Sequence, residues 1–401
     1  MQTRVLTVLL LTGLFAACTT QPTQIPSSSP PQISTPAVAF ESATPEATPS
    51  ASAGSDPSYK VAAFYYPWYG NPSTDGEWIH WTQNNHMPPD DIASDYYPAL
   101  GPYSSNDPAV VAQHMTWLRQ AGIGVIITSW WGQGSREDQT VPLLLQTAEQ
   151  HGIKVAFHIE PYQGRSGESL VSDIQYLYQQ YGGSPAFFRS TATSRYSPDR
   201  QPKGMFFVWS MDSHGETQYS YWQQALDQIH ALPEGGLVIA HTPDAGWVEG
   251  SHFDGLYNYA TLDLDHNSFG WARALPADTL YIPSVLPGFS ARRVAYPADT
   301  FVPRLDGNTY NRQWIAALGT GIQPDMVTIT SFNEWHEGSM IEPLKTGISD
   351  GKGYSYPDFG SLPPEGYLNL TRDWIDKYLR MSWNASYRAR VRITTTSDWT
   401  R

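Results

Sequence analysis

The chain has one cysteine, Cys18, so no intramolecular disulfide can form. Charged residues are also scarce, at 15% of 401 residues, against about a quarter in an ordinary globular protein. The shortage falls on the basic side: 24 Lys and Arg face 38 Asp and Glu, for a formal net charge of −14. That balance argues against nucleic acid as a partner, because phosphate backbones are gripped by clustered cations. A neutral or cationic ligand fits it, and the surplus acid also favours solubility. Phosphate-cradling loops are missing: GQGS after Trp131 has neither the lysine of a P-loop nor the third glycine of a dinucleotide fingerprint. With no HExxH, no paired-cysteine spacing and no GxSxG elbow, neither a metal nor any other cofactor is expected.

What the chain has in plenty is aromatic: 13% of its residues, including 15 Trp and 24 Tyr. Before these begin, MQTRVLTVLLLTGLFAAC carries one early Arg, an apolar run from Val5 to Phe15 and small residues ahead of Cys18. This is the pattern of a secretory signal, and the run is shorter than the roughly 20 residues a membrane span needs. FAAC resembles the bacterial lipoprotein box, with Phe15 where Leu is usual. Residues 1–18 are therefore expected to be a signal segment ending at a lipidated Cys18. That places the protein outside the cytoplasm, at the cell surface or in the periplasm, and anchored to a bacterial membrane only through its lipid. Residues 19–58 are dominated by Pro, Ser, Thr and Ala, with too few clustered apolar side chains for a core, and read as a tether.

From Lys60 onward, eight short β-rich runs alternate with helical periodicity: 60–66, 123–131, 154–160, 204–210, 236–242, 253–259, 279–285 and 326–335. DPAVVAQHMTWLRQAG is the clearest helix, with Asn106 or Asp107 to cap it, Pro108 in the first turn and Gly122 to end it. VPLLLQTAEQHG, ESLVSDIQYLYQQYGG, TQYSYWQQALDQIHAL, TYNRQWIAALGTG and YLNLTRDWIDKYLR follow the same logic, whereas NYATLDLDHNSFGWARALPAD gives only a poor helix. The alternation predicts an α/β fold, a single (β/α)8 TIM barrel over 59–385, with 386–401 as a tail and a monomer expected. A doubly wound open sheet is the alternative, though it has no need of eight runs.

In such a barrel the functional side chains sit at the C-terminal ends of the strands. Those positions hold Tyr66 and Tyr69 after the first run, Trp131 after the second, His158 and Glu160 at the third, Tyr257 and Tyr259 at the sixth, and Asn333, Glu334, Trp335, His336 and Glu337 at the eighth. Trp and Tyr around a few carboxylates suit a sugar, whose C–H faces stack on rings while its hydroxyls bond to carboxylates. Breaking a glycosidic bond takes two carboxyl groups in different surroundings. Glu334 and Glu337 fit that need, or they are a capping or paired residue and a solvated loop charge. Glu160 is aimed by Pro161 either at a sugar hydroxyl or into a salt bridge with Arg165.

FYYPWYGNP with DGEWIHW, YYPALGPYSSNDP, GVIITSWWG, VAFHIEPY, FDGLYNY, IPSVLPGF and ITSFNEWHEG, taken in order, closely resemble glycoside hydrolase family 99, the endo-α-1,2-mannosidases and endo-α-mannanases, in a bacterial version. The resemblance implies a metal-free (β/α)8 barrel that cleaves internal α-1,2-mannosidic links of mannan or high-mannose glycans with retention. By the same resemblance, Glu334 would help the sugar's own 2-hydroxyl attack, giving a 1,2-anhydro intermediate, and Glu337 would be the general acid and then the base. Trp131, which animal members replace by Tyr, would line the sugar site beyond the cleaved unit, and Glu160 would lie near the reacting sugar. One of Tyr66 and Tyr69, and one of Tyr257 and Tyr259, would approach the carboxylates. TQNNHM and GMFFVWSMDSH depart from the family pattern and leave the outer sugar sites open. Two rival readings remain at this stage, an α-glucan hydrolase on the same scaffold and a polysaccharide-binding surface lipoprotein without turnover.

Overall fold

The computed structural model describes residues 56–211, 218–260, 269–294 and 301–381. The signal segment, Cys18, nearly all of the tether and the C-terminal tail expected from the sequence lie outside the described residues. Within them, eight strands run β1 (Ser58–Tyr65), β2 (Ile123–Trp130), β3 (Lys154–Ile159), β4 (Lys203–Val208), β5 (Leu237–His241), β6 (Gly255–Tyr257), β7 (Leu280–Val285) and β8 (Val327–Ile329). Their residues are buried almost without alternation, with β2 buried throughout, as happens when a parallel sheet is covered on both faces.

Each strand pairs in parallel with the next, from β1 to β7. β8 returns to the far edge of β1, Val61 opposite Val327. Closure falls to β7, which Pro283 interrupts. Leu280–Ile282 bonds to β6, and Ser284–Val285, past the proline, bonds to β8. Proline has no N–H to give to a ladder, but the Pro283 carbonyl still accepts from Thr328 N at 2.9 Å. Through Pro283 the ring of pairings is thus nearly closed, and the strands form the (β/α)8 barrel expected.

Besides a single helical turn at Pro72–Asp75, the helices are α1 (Pro108–Ala121), α2 (Arg136–His151), α3 (Gly167–Tyr181), α4 (Ser220–His230), α5 (Gly246–Ser251), α6 (Asn308–Leu318) and α7 (Gly366–Arg380). Asp107 caps α1 by accepting from Ala109 N at 2.8 Å, and Gly122 ends it with φ +81°. A Cβ on Gly122 would also stand 2.5 Å from the Arg372 guanidinium of α7, which donates to the carbonyls of Arg119 and Gln120 at 2.9 and 3.1 Å and ties the last helix to the first. α2 starts five residues ahead of VPLLLQ because Ser135 caps it through Asp138 N, so Pro142 sits inside the helix. Before β7, where only a poor helix was expected, the described residues hold a 3₁₀ turn, Gly270–Ala274. After β7 comes a small antiparallel hairpin, Phe289–Ser290 against Phe301–Val302.

Candidate active site

The last strand is shorter than the apolar run 326–335 suggested, because the chain leaves the sheet after Ile329 and folds over the end of β1. Phe332 N donates to Phe64 O at 2.8 Å. The Asn333 side chain then imitates a neighbouring strand, accepting from Tyr66 N at 2.7 Å and donating to Tyr66 O at 3.0 Å. Tyr69 braces the next turn: its hydroxyl donates to Asn333 O at 3.2 Å and accepts from Trp335 N at 3.0 Å. Below it the Trp335 indole donates to Glu342 at 2.9 Å. Tyr103 and His114 also reach Glu342, at 2.8 and 3.2 Å.

Glu334 and Glu337 stand on this platform, 3% and 8% exposed. Glu337 Oε2 accepts from the Tyr259 hydroxyl at 3.1 Å, and the Tyr66 hydroxyl lies 2.5 Å from that of Tyr259. Burial, reinforced by the negative charge of Glu334, pushes the Glu337 carboxyl up to about 8, although the Tyr259 hydrogen bond pulls the other way. Burial and the surrounding carboxylates hold both tyrosine hydroxyls well above their ordinary range, so they act as donors.

Glu334 is held differently. Its Oε1 accepts from His336 N at 3.0 Å, with His336 Nδ1 at 3.4 Å. His336 Nε2 faces the His80 carbonyl at 2.8 Å, which can only accept, so that nitrogen carries a proton. Glu334 Oε2 is buried with no protein partner. Among the described residues no arginine pairs with Glu334 and it caps no helix, so the structural alternative raised by the sequence does not apply.

Glu160 provides a third carboxylate. Ser129 donates to its Oε1 at 2.8 Å and itself accepts from the Trp131 indole at 3.1 Å, which ties ring and acid together. His158 Nδ1 lies 2.9 Å from the same oxygen, off the line of a hydrogen bond. Arg165 donates instead to the carbonyls of Ile159, Trp209 and Ser210, so its salt bridge to Glu160 is not made.

The structure also sorts the aromatic residues by depth. Tyr66, Tyr259 and His336 keep a small exposed fraction and Trp131 is half-buried. Tyr69, Tyr257, Asn333 and Trp335 are fully buried and His158 nearly so. Apart from His158 Nδ1, their side-chain polar atoms are engaged within the protein, Tyr257 by His158 Nε2 at 2.6 Å. These five, expected from the sequence as sugar contacts, lie deepest of the expected site residues. Of the tyrosine pairs, Tyr259 bonds to Glu337 and Tyr66 bonds to Tyr259.

Three residues escaped the sequence reading, although each closes a barrel strand. Trp209 follows β4, stacks on His241 of β5 at 3.9 Å between ring centres, and meets Tyr259 edge-on at 4.7 Å. Ser129 is the third. On the opposite wall Trp68 stacks on His80 at 4.7 Å and 11°. Burial drives His80 and His241 each down to about 3, so both rings are neutral.

A closed parallel barrel whose C-terminal mouth holds carboxylates in unlike surroundings, between Trp and Tyr walls, is the arrangement of a glycoside hydrolase. The chain belongs to glycosyl hydrolase family 99, whose family model matches residues 57–380. It is 36% identical over 365 residues to the mouse glycoprotein endo-alpha-1,2-mannosidase, covering 80% of this chain and 75% of that protein. The Xenopus laevis protein of the same name is 35% identical, with 81% and 78% covered. Among solved structures, the family 99 endo-alpha-mannosidase from Bacteroides thetaiotaomicron superposes with a TM-score of 0.69 at 33% identity, covering 81% of this chain and 98% of that one.

Proposed function

We propose that this protein is a retaining endo-α-1,2-mannosidase of mannan or high-mannose glycans, carried on a bacterial membrane by a lipid on Cys18. One observation supports the chemistry most directly. Glu334 Oε2 is buried yet unpartnered, and it stands beside a carboxyl that burial and the Glu334 charge keep protonated at neutral pH. The pair is split electrostatically into a proton acceptor and a proton donor.

In the first step Glu334 takes the proton of the mannose 2-hydroxyl as that oxygen closes on C1. The glycosidic C–O bond breaks and Glu337 passes its proton to the leaving oxygen. Water then opens the 1,2-anhydro ring at C1, giving up a proton to Glu337 while the 2-oxygen regains one from Glu334. Two inversions leave the configuration retained. Trp131, held by Ser129, offers its face to the neighbouring sugar, and Glu160 accepts from a hydroxyl of the reacting one.

Incubation with α-mannan and with glucosylated and unglucosylated high-mannose oligosaccharides, followed by sizing of the products, tests this reading. Oligosaccharide fragments are expected. Single mannose units would contradict endo action, products from α-glucan alone would point to a glucan hydrolase, and no products with retained binding would point to a polysaccharide-binding protein. Glu337→Gln should remove cleavage and keep binding. Cys18→Ala should release the protein from the membrane fraction.

A further inference from the structure

Arg304 is a buried cation with no carboxylate against it among the described residues. Its guanidinium sits in a cage of three rings, Tyr96, Phe359 and Tyr367, at 5.0, 4.8 and 4.6 Å from their centres. A methionine or leucine would fill that cage without the desolvation that a buried charge entails. What the guanidinium adds is a pair of hydrogen bonds from Nη2, to Gly338 O at 2.9 Å and to Met340 O at 2.7 Å. Those carbonyls begin one residue after Glu337.

The same loop is held from its other side. Ser290 N donates to Glu337 O at 2.7 Å. Gly338 has φ +55°, and a Cβ there would stand 2.7 Å from Ser290 O, so the backbone touches the hairpin with no room between. Ser290 lies in the first strand of the hairpin after β7 and Arg304 just past the second, so one element grips the backbone from the Glu337 carbonyl to Met340.

We propose that Arg304 is a positioning residue for glycosidic cleavage: through the carbonyls of Gly338 and Met340 it sets the place of the Glu337 carboxyl against the leaving oxygen. The proposal rests on the acid role of Glu337. Lysine keeps the charge, but its compact ammonium on a different stem does not reproduce the position from which Nη2 meets both carbonyls.

The test compares kcat/KM for an α-1,2-linked manno-oligosaccharide with that for the same glycosyl unit as its fluoride, which departs with little need of a proton. Arg304→Met should lose about thirtyfold or more on the oligosaccharide and less than about threefold on the fluoride, with a displaced alkaline limb. Arg304→Lys, the variant more certain to fold, should fall between. Equal losses on both substrates with an unmoved alkaline limb overturn the proposal, since a merely structural arginine acts on both alike. Glu337→Gln, run alongside, tells the failures apart. If it too loses equally on both substrates, the acid role falls and the proposal with it. If it loses only on the oligosaccharide while the Arg304 variants lose on both, the acid role stands and Arg304 has no part in it.

Discussion

Tyr259 donates a hydrogen bond to Glu337 Oε2 at 3.1 Å, and this bond opposes the burial that keeps the carboxyl protonated. Tyr259→Phe should therefore raise the Glu337 pKa further. The alkaline limb of kcat/KM, set near 8 in the parent, should move to higher pH, with a rate loss of about tenfold below it. A limb that stays in place or moves down would show that the tyrosine does not act on this carboxyl.

Stability carries the same signature. Folded Glu337 keeps its proton up to about 8, whereas an unfolded glutamate releases it near about 4.3. Folding takes up a proton between those values, so this residue's contribution is most favourable below the lower one and declines as pH rises through the window. Unfolding temperatures of the parent and of Glu337→Gln, measured at pH 5 and pH 8, should show the variant losing less over that interval. Parallel losses would mean that the carboxyl is already ionised in the fold.

Ser129→Ala removes both the donor to Glu160 and the acceptor of the Trp131 indole. Each bond is worth about 1 kcal/mol, and both act on groups that the proposed mechanism sets against ground-state sugar. KM should rise about five- to tenfold while kcat changes less. A change confined to kcat would place Ser129 in the chemistry instead.

Asn333→Ala should lower stability by about 2–3 kcal/mol in denaturant unfolding, because it strands the buried N–H and C=O of Tyr66 together. Asn333→Asp, almost the same shape, should rescue little, since it turns an acceptor toward the Tyr66 carbonyl. Full rescue by Asp would argue against the paired geometry.

All eight strands were legible because a parallel sheet covered on both faces demands continuous apolar runs, and IGVIITSWW or KVAFHIE admit few other readings. Pro283 hid the way the barrel closes, since the two halves of one short run serve different neighbours. At the site, Glu334 and Glu337 stood out by type and position at a strand end. Their unlike surroundings did not, because Tyr259 and Ser290 reach Glu337 from other elements, and His336 beside Glu334 is held by the distant His80. Depth was equally hidden: Tyr66 and Tyr69 are three residues apart on one loop, yet one meets Tyr259 near the carboxyls and the other props the turn beneath. Ser129, Trp209 and His241 could have been found by asking of β2, β4 and β5 what had been asked of β8.

The carboxyl-bearing loop takes its shape from below and behind, from Asn333, Tyr69, Trp335 and Glu342 under it and from Ser290 and Arg304 beside it. The Trp131 and Trp209 walls are separate parts, delivered by other strands. Under the proposed mechanism, reaction and recognition are therefore two modules: a wall can be exchanged for another ring or a smaller side chain to admit a different neighbouring sugar, while the two glutamates keep their setting.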